Sequence, residues 1–156
     1  MVDVQTVSIA IASASVIAGV IYYALQLRHQ IKQRQTDLIT RLYSIFATEK
    51  FQKEYHKFMA DLETNDYATF QKIYAVDLAP IGLFFNEVGI LLENKLIDIG
   101  LVNSLLGGTI KRYWERVKPI VADGRRKLNQ PTFAHGVEYL YNEMKRREQQ
   151  PASKTA

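Results

Sequence analysis

Three histidines, His29, His56 and His135, stand far apart in the sequence, and no two of them share a metal-binding frame. His56 and His135 read as surface or half-buried helix residues. The chain has no cysteine, which removes disulfides, thiolate metal sites, iron–sulfur clusters and cysteine nucleophiles together. Gly107-Gly108-Thr109 lacks the preceding strand and the lysine of a phosphate-cradling loop. It reads instead as a helix stop. There is no nucleophile elbow, and Ser44, Ser104 and Ser153 have no base beside them in sequence. The expectation is therefore a protein that is not an enzyme, with no catalytic residue, metal site or cofactor, unless residues from distant helices assemble a site.

The residues that remain with chemical potential lie between Glu87 and Arg126. Trp114 shares an apolar helix face with Ile110 and Val117, so its indole either fills the core or stacks on a ligand, and the core is the simpler role. Asp98 stands at a helix start, as a cap. Glu115 lies four residues after Lys111 and three before Lys118, the spacing of a surface ion pair. Arg125 differs in kind: from beyond a proline-bent helix it reaches Glu87 or Asp98 as a bidentate clamp, or else binds an anion. Seven cations, Lys111, Arg112, Arg116, Lys118, Arg125, Arg126 and Lys127, face only Glu115 and Asp123, so the local balance is 7 − 2 = +5. Such a run suits anionic lipid or nucleic acid, yet the helical step scatters it around the axis, and a solvated face is expected. No nucleic-acid module is recognisable, which makes nucleic acid an unfavoured partner.

The same stretch carries a resemblance. Gly89-Ile90-Leu91-Leu92, Leu96-Ile97-Asp98, Leu101-Val102, Gly107-Gly108, Ile110, Trp114-Glu115, Lys118-Pro119-Ile120 and Arg125 resemble, in order and spacing, a family of uncharacterised single-pass helical proteins of bacteria and archaea, classed as a domain of unknown function. The resemblance covers most of the chain and is sharpest over about 40 residues. It implies a membrane helix ahead of a helical domain and is silent on activity.

These residues must be positioned by helices. From Val4 to Leu27 run 24 consecutive residues without a charge, bracketed by Asp3 and Arg28. About 20 suffice to cross the hydrocarbon core of a bilayer. Ser8, Ser13, Ser15 and Gly19 dilute the stretch but are tolerated in a helix that satisfies its own backbone, and Tyr22 and Tyr23 suit the headgroup region at its exit. No basic region precedes it, so a secretory signal does not fit; the alternative is a buried core helix of a soluble domain. Beyond it, Arg28, Lys32, Arg34 and Arg41 against Asp37 give 4 − 1 = +3. The positive-inside rule then puts a cell-membrane anchor with its C-terminal domain in the cytoplasm and residues 1–3 translocated. Small residues at helical spacing, Ala10, Ala14 and Ala18, or Ser8, Ala12, Ser15 and Gly19, permit weak self-association.

After the anchor at 4–27, apolar residues recur at helical spacing through a juxtamembrane helix at 28–47. A helical domain follows at 48–147, and 148–156 is expected to be a disordered tail. Thr48 caps the first helix of the domain. A short helix from Tyr67 ends near Val76, where Asp77 caps the next with Pro80 in its first turn, and the run that follows from Ile81 is apolar around most of its circumference and so central. On that run Gly82 and Gly89, with Asn86 between them, share a face open to a second backbone. Asp98 starts a short helix ended by Gly107-Gly108, Pro119 bends or restarts the next, and the last spans Thr132 to Arg147. No segment alternates like a strand, so the fold class is all-α. The expected function is a membrane-tethered cytoplasmic interaction module that meets a protein partner or weakly self-associates at the bilayer. The alternative is a binder of anionic ligands or nucleic acid near the membrane.

Overall fold

The computed structural model describes residues 3–149, with the side chains of residues 6, 7, 9, 10 and 75–78 outside the description. The described chain is helical and contains no strand: α1 (Val4–Phe46), α2 (Glu49–Asp61), α3 (Tyr67–Glu93), α4 (Ile99–Leu128) and α5 (His135–Gln149). It divides into two compact units, one ending at Asp37 and one starting at Leu38. In the first, the helix is long and apolar enough to cross a membrane, and the window that meets this criterion is fully exposed. Ala10 of the small-residue stripe, Met1 and Val2 of the N-terminus, and residues 150–156 of the tail lie outside the described side chains.

In the second unit, Leu38–Phe46 supply Ile39 and Leu42 to the core, so the helical domain starts ten residues earlier than residue 48. Phe46 packs on Phe51 of α2 and stacks on Phe84 of α3, with ring centroids 5.6 and 6.3 Å away. The turns ahead of α2, α3 and α4 supply the missing backbone partner. Thr48 accepts from the N–H of Phe51, Asp66 from Thr69 and Asp98 from Leu101. The cap expected at Asp77 falls on a side chain outside the description. What is visible there is a change of direction: Tyr67–Tyr74 and Ala79–Glu93 lie at 117° to one another. Pro80, with no N–H to give, stands in the first turn of the second arm, where the loss of a donor costs little.

The second arm of α3 is the centre of the unit, touching α2, α4 and α5. Phe84, Phe85 and Val88 are buried in it, and an aromatic cluster joins Phe51 and Tyr55 of α2 to Phe85 and to Tyr113 of α4. The apolar circumference is not wholly covered: Leu83 and Ile90, seven residues apart, are 67% and 43% exposed.

α3 and α5 meet backbone to backbone. A Cβ on Gly89 would stand 1.8 Å from the Gly136 carbonyl oxygen, and one on Gly136 would stand 2.3 Å from that of Asn86. Both positions therefore require glycine. The Gly136 N–H donates to Asn86 Oδ1 at 2.9 Å, closing the contact on its polar side.

Two expected breaks are absent. α4 is one helix of 30 residues that continues through Gly107-Gly108 and Pro119. No glycine adopts a positive φ, so neither Gly107 nor Gly108 acts as a left-handed stop. Gly107 is buried with Met144 of α5 near it, and Val102, Leu106, Ile110, Val117, Ile120 and Val121 fix the helix on both sides of the weak points. Burial of that face outweighs the local cost of about 1 kcal/mol for each glycine and about 3 kcal/mol for the proline. The true stop is Asn129 at φ 53°, in the left-handed region, with its N–H on the Arg125 carbonyl. The last helix starts at His135 and not at Thr132, because residues 131–134 form turns and Ala134 takes a φ of 56°.

Candidate functional site

The six candidate residues do not converge on one cleft. Glu87 and Lys118 are exposed on α3 and α4. Asp98 caps α4, accepting the Leu101 N–H at 3.0 Å. Trp114 is buried against Tyr141, with centroids 6.2 Å apart, and is a core residue of α4. Glu115 does not pair with Lys111 or Lys118: it accepts from the Tyr141 hydroxyl at 3.4 Å, while Lys111 reaches Glu148 on α5. Lys145 lies 5.1 Å from the Tyr141 ring centroid, and its contact with the Tyr141 hydroxyl raises its pKa, with Glu115 and Glu148 adding to the effect.

Arg125 is a clamp, but neither Glu87 nor Asp98 is its partner. Its terminal nitrogen binds Glu138 Oε2 at 2.7 Å, and its Nε donates to the Phe133 carbonyl at 2.9 Å. One guanidinium thus ties the end of α4 to the turn that follows it and to the first turn of α5.

The basic run around it is engaged internally. Arg116 donates to the Leu62 carbonyl and Arg112 to the Gly108 carbonyl. Arg126 pairs with Asp123, and Lys127 bridges Asp123 and Asp66. Those contacts pull the Asp123 and Asp66 carboxyls below their usual range and raise the Lys127 ammonium, in each case chiefly by side-chain hydrogen bonding within this cluster. Asp123 also accepts the first N–H of α3, at Tyr67, at 2.9 Å. The cluster therefore fastens the start of α3 to the end of α4. Lys118 alone among the seven cations has no such contact among the described residues.

A site that the sequence reading did not single out lies in the angle between the two arms of α3. A cavity of about 370 Å³ is lined by Phe70 from the first arm, Gly82 and Leu83 from the second, Tyr113 and Val121 from α4, and Phe133 from the following turn, among others. None of the described residues around it is charged. Of its amides, Gln71 Nε2 donates to the Tyr67 hydroxyl at 2.8 Å and Asn86 Oδ1 accepts the Gly136 N–H at 2.9 Å. Tyr113 is 7% exposed, and its hydroxyl comes within 3.2 Å of where a Cβ of Gly82 would stand. Burial pushes its phenol pKa well up, with Tyr55 nearby adding to the shift, so the group is a neutral hydroxyl.

A family model for a domain of unknown function, DUF4760, matches residues 9–144. The chain belongs to this family. The match takes in both the apolar part of α1 and the helical unit up to Met144, so the two are joined in the family and not only here. Neither a curated protein nor a solved structure matches the chain significantly.

Proposed function

We propose that this member of the family is a membrane-tethered interaction module. Residues 4–27 are a single-pass anchor in the cell membrane, and the helical unit lies on the cytoplasmic side, where it meets a protein partner, either another protein or a second copy, without catalysis of its own. The observation that carries this reading is the apolar N-terminal part of α1, which is exposed along its described side chains and covers no core of its own. Apolar surface of that length is stable in a bilayer and costly in water. The +3 excess that follows it (four cations less Asp37) supports a cytoplasmic domain. Exposed Leu96 in the turn before α4, and Leu101 and Leu105 in its first turns, supply apolar surface suited to a protein partner. The basic run does not favour an anionic ligand, because its cations already hold α4 to neighbouring segments.

The tether is tested by alkaline carbonate extraction together with a C-terminal reporter. Retention in the membrane pellet and activity of a cytoplasm-dependent reporter are expected. Release into the supernatant, or a reporter active only outside the cytoplasm, overturns the reading. Crosslinking in intact membranes tests the partner: Leu101→Asp with Leu105→Asp abolishes the adduct if that surface is used. Gly19→Leu with Ala14→Leu abolishes a homodimer adduct if the anchor is used.

A further inference from the structure

We propose that the cavity in the bend of α3 is a binding site for an uncharged, mainly apolar small molecule carrying one hydrogen-bond acceptor, which the Tyr113 hydroxyl receives. The proposal is independent of the membrane tether, since every residue it uses lies in the second unit. At about 370 Å³ the cavity is in the range of small-molecule sites, which run from roughly 300 to 1,000 Å³ and combine apolar walls with a few placed polar groups. The walls here are chiefly apolar, with Gln71 and Asn86 as amides and no charge among the described residues, so an ionic ligand would be costly to desolvate there.

The hydroxyl carries the inference. A hydroxyl without a protein partner on an otherwise apolar wall takes its hydrogen bond from whatever fills the space before it, water or ligand. Tyr113 lines the cavity with its ring more than nine-tenths buried; its hydroxyl has no hydrogen-bond partner among the described residues, and since no sealed side-chain polar atom among them lacks a partner, its oxygen opens on the cavity. Its neighbours are rings: Phe85 at 4.6 Å and Phe58 at 5.7 Å between centroids. A core position packed by aromatics would accept phenylalanine and lose nothing. A tyrosine there, with its oxygen opposite a glycine that leaves room for it, is explained by an acceptor arriving from the cavity. The ligand is therefore a neutral carbonyl, ether or alcohol on an apolar body. A lipid-derived compound and a water-soluble metabolite share that chemistry.

Benzophenone serves as the probe, being an apolar body with one carbonyl that also crosslinks to neighbouring C–H bonds on irradiation. Diphenylmethane, the same shape without the carbonyl, serves as the competitor. The full chain in its membrane is irradiated and the adducts are mapped by mass spectrometry. Saturable labelling of peptides containing Leu83, Val117 or Val121 is expected, with Tyr113→Phe weakening it about tenfold, the worth of one hydrogen bond. Competition by diphenylmethane should be the same in both proteins. Ala79→Trp, an exposed position at the lip, should abolish labelling while leaving the domain folded.

A second readout separates a ligand contact from a structural one. Tyr113→Phe should melt at or above the wild-type temperature without ligand, because it removes a hydroxyl that has no partner. A marked loss of stability would show that the hydroxyl is used within the fold, and overturns the proposal. So does labelling that is non-saturable, confined to residues 4–27, or indifferent to both substitutions. Displacement of the probe by a neutral-lipid extract of the cells assigns the ligand to the membrane, and displacement by the aqueous extract assigns it to the cytosol. Displacement by neither overturns the proposal.

Discussion

The contact between Gly89 and Gly136 allows a substitution to be worked through numerically. A Cβ on Gly89 would lie 1.8 Å from the Gly136 oxygen and 2.2 Å from its carbon, all of it backbone that cannot swing aside. An ordinary carbon–oxygen contact is about 3.3 Å, so α3 and α5 must part by about 1.5 Å. That separation breaks the bond from Gly136 to Asn86, worth about 1 kcal/mol. It also opens gaps around Val88, Val137 and Leu140, and gaps of about 1 Å forfeit up to half the dispersion well. Overpacking of this kind costs about 1–3 kcal/mol, and an immovable backbone places it at the upper end. Alanine returns about 1 kcal/mol of helix propensity. The net for Gly89→Ala is about 3 kcal/mol of destabilisation, a large part of the roughly 5–15 kcal/mol a domain possesses. Gly108 is the internal control: nothing lies within 4 Å of a Cβ there, so Gly108→Ala should stabilise by up to about 1 kcal/mol. In degrees, the two variants should move the melting temperature by about −12 and +4. Near-ultraviolet circular dichroism of the full chain in mild detergent reads the tertiary transition of the domain, where Trp114 and most of the tyrosines lie. Equal effects from the two alanines, or a Gly89→Ala protein as stable as wild type, would refute the close backbone packing.

Four further outcomes are expected. A fragment starting at Leu38 should fold, whereas one starting at Thr48 loses Ile39 and Leu42, each worth about 1.5–3 kcal/mol, and should melt far lower or aggregate on heating. Trp114→Ala should destabilise by about 3–5 kcal/mol in chemical denaturation, and a near-native midpoint would return the indole to the list of ligand contacts. Arg125→Met and Glu138→Gln should each lower stability by about 1–2 kcal/mol, because both side chains are only partly buried. Their double mutant should recover about 1 kcal/mol of coupling, while a cycle of Arg125 with Glu87 or Asp98 should show none. The Asp66–Asp123–Lys127 cluster sets a pH window. Its two lowered carboxyls contribute stability above their unfolded pKa near 3.8, lost as pH falls through the still lower folded values; the raised Lys127 contributes below 10.5, lost as pH rises through its folded value. Lys127→Met should therefore narrow the difference in melting temperature between pH 6 and pH 3, and an unchanged pH profile would count against the cluster.

Much of the fold was legible because its signals are local. Thr48 and Asp98 cap helices through bonds to residues three positions on, and of the two glycines expected by spacing to admit another backbone, Gly89 does, whereas Gly82 faces the Tyr113 hydroxyl, a side chain. The identity of that backbone was not legible, since Gly136 lies about 50 residues away and nothing in its neighbourhood sets it apart. Gly107-Gly108 and Pro119 misled for the opposite reason. Each is a sound local stop signal, and each is overridden by the buried face of a helix that packs on α3 and α5 along its length. The start of the domain was misplaced because Ile39 and Leu42 continue the helix of the anchor without a break that sequence could show.

The candidate site was less legible, and charge shows why. Read along the chain, the cations between Lys111 and Lys127 far outnumber the acids among them, which suits an external anion or, since the helical step scatters them, the solvated face that was expected. In the folded unit the answering carboxylates and carbonyls come from far away: Glu148 is 37 residues from Lys111, Asp66 is 61 from Lys127, and the Leu62 carbonyl is 54 from Arg116. A local surplus of +5 is thus reduced to 7 − 2 − 3 = +2 by Glu138, Glu148 and Asp66, which a window of sequence cannot contain. Tyr113 hides in the converse way. At the spacing of Ile110, Trp114 and Val117 it is one more apolar position on a buried face, and its ring does pack there. Its oxygen becomes a chemical question only because α3 turns through 117° and leaves a cavity on the inside of the turn, opposite a glycine. An unanswered hydrogen bond is a property of the surroundings, and the surroundings of Tyr113 are set by residues from four separate segments of the chain. That is also why exchanging a single oxygen, Tyr113→Phe, tests the cavity more sharply than removing any charge of the basic run beside it.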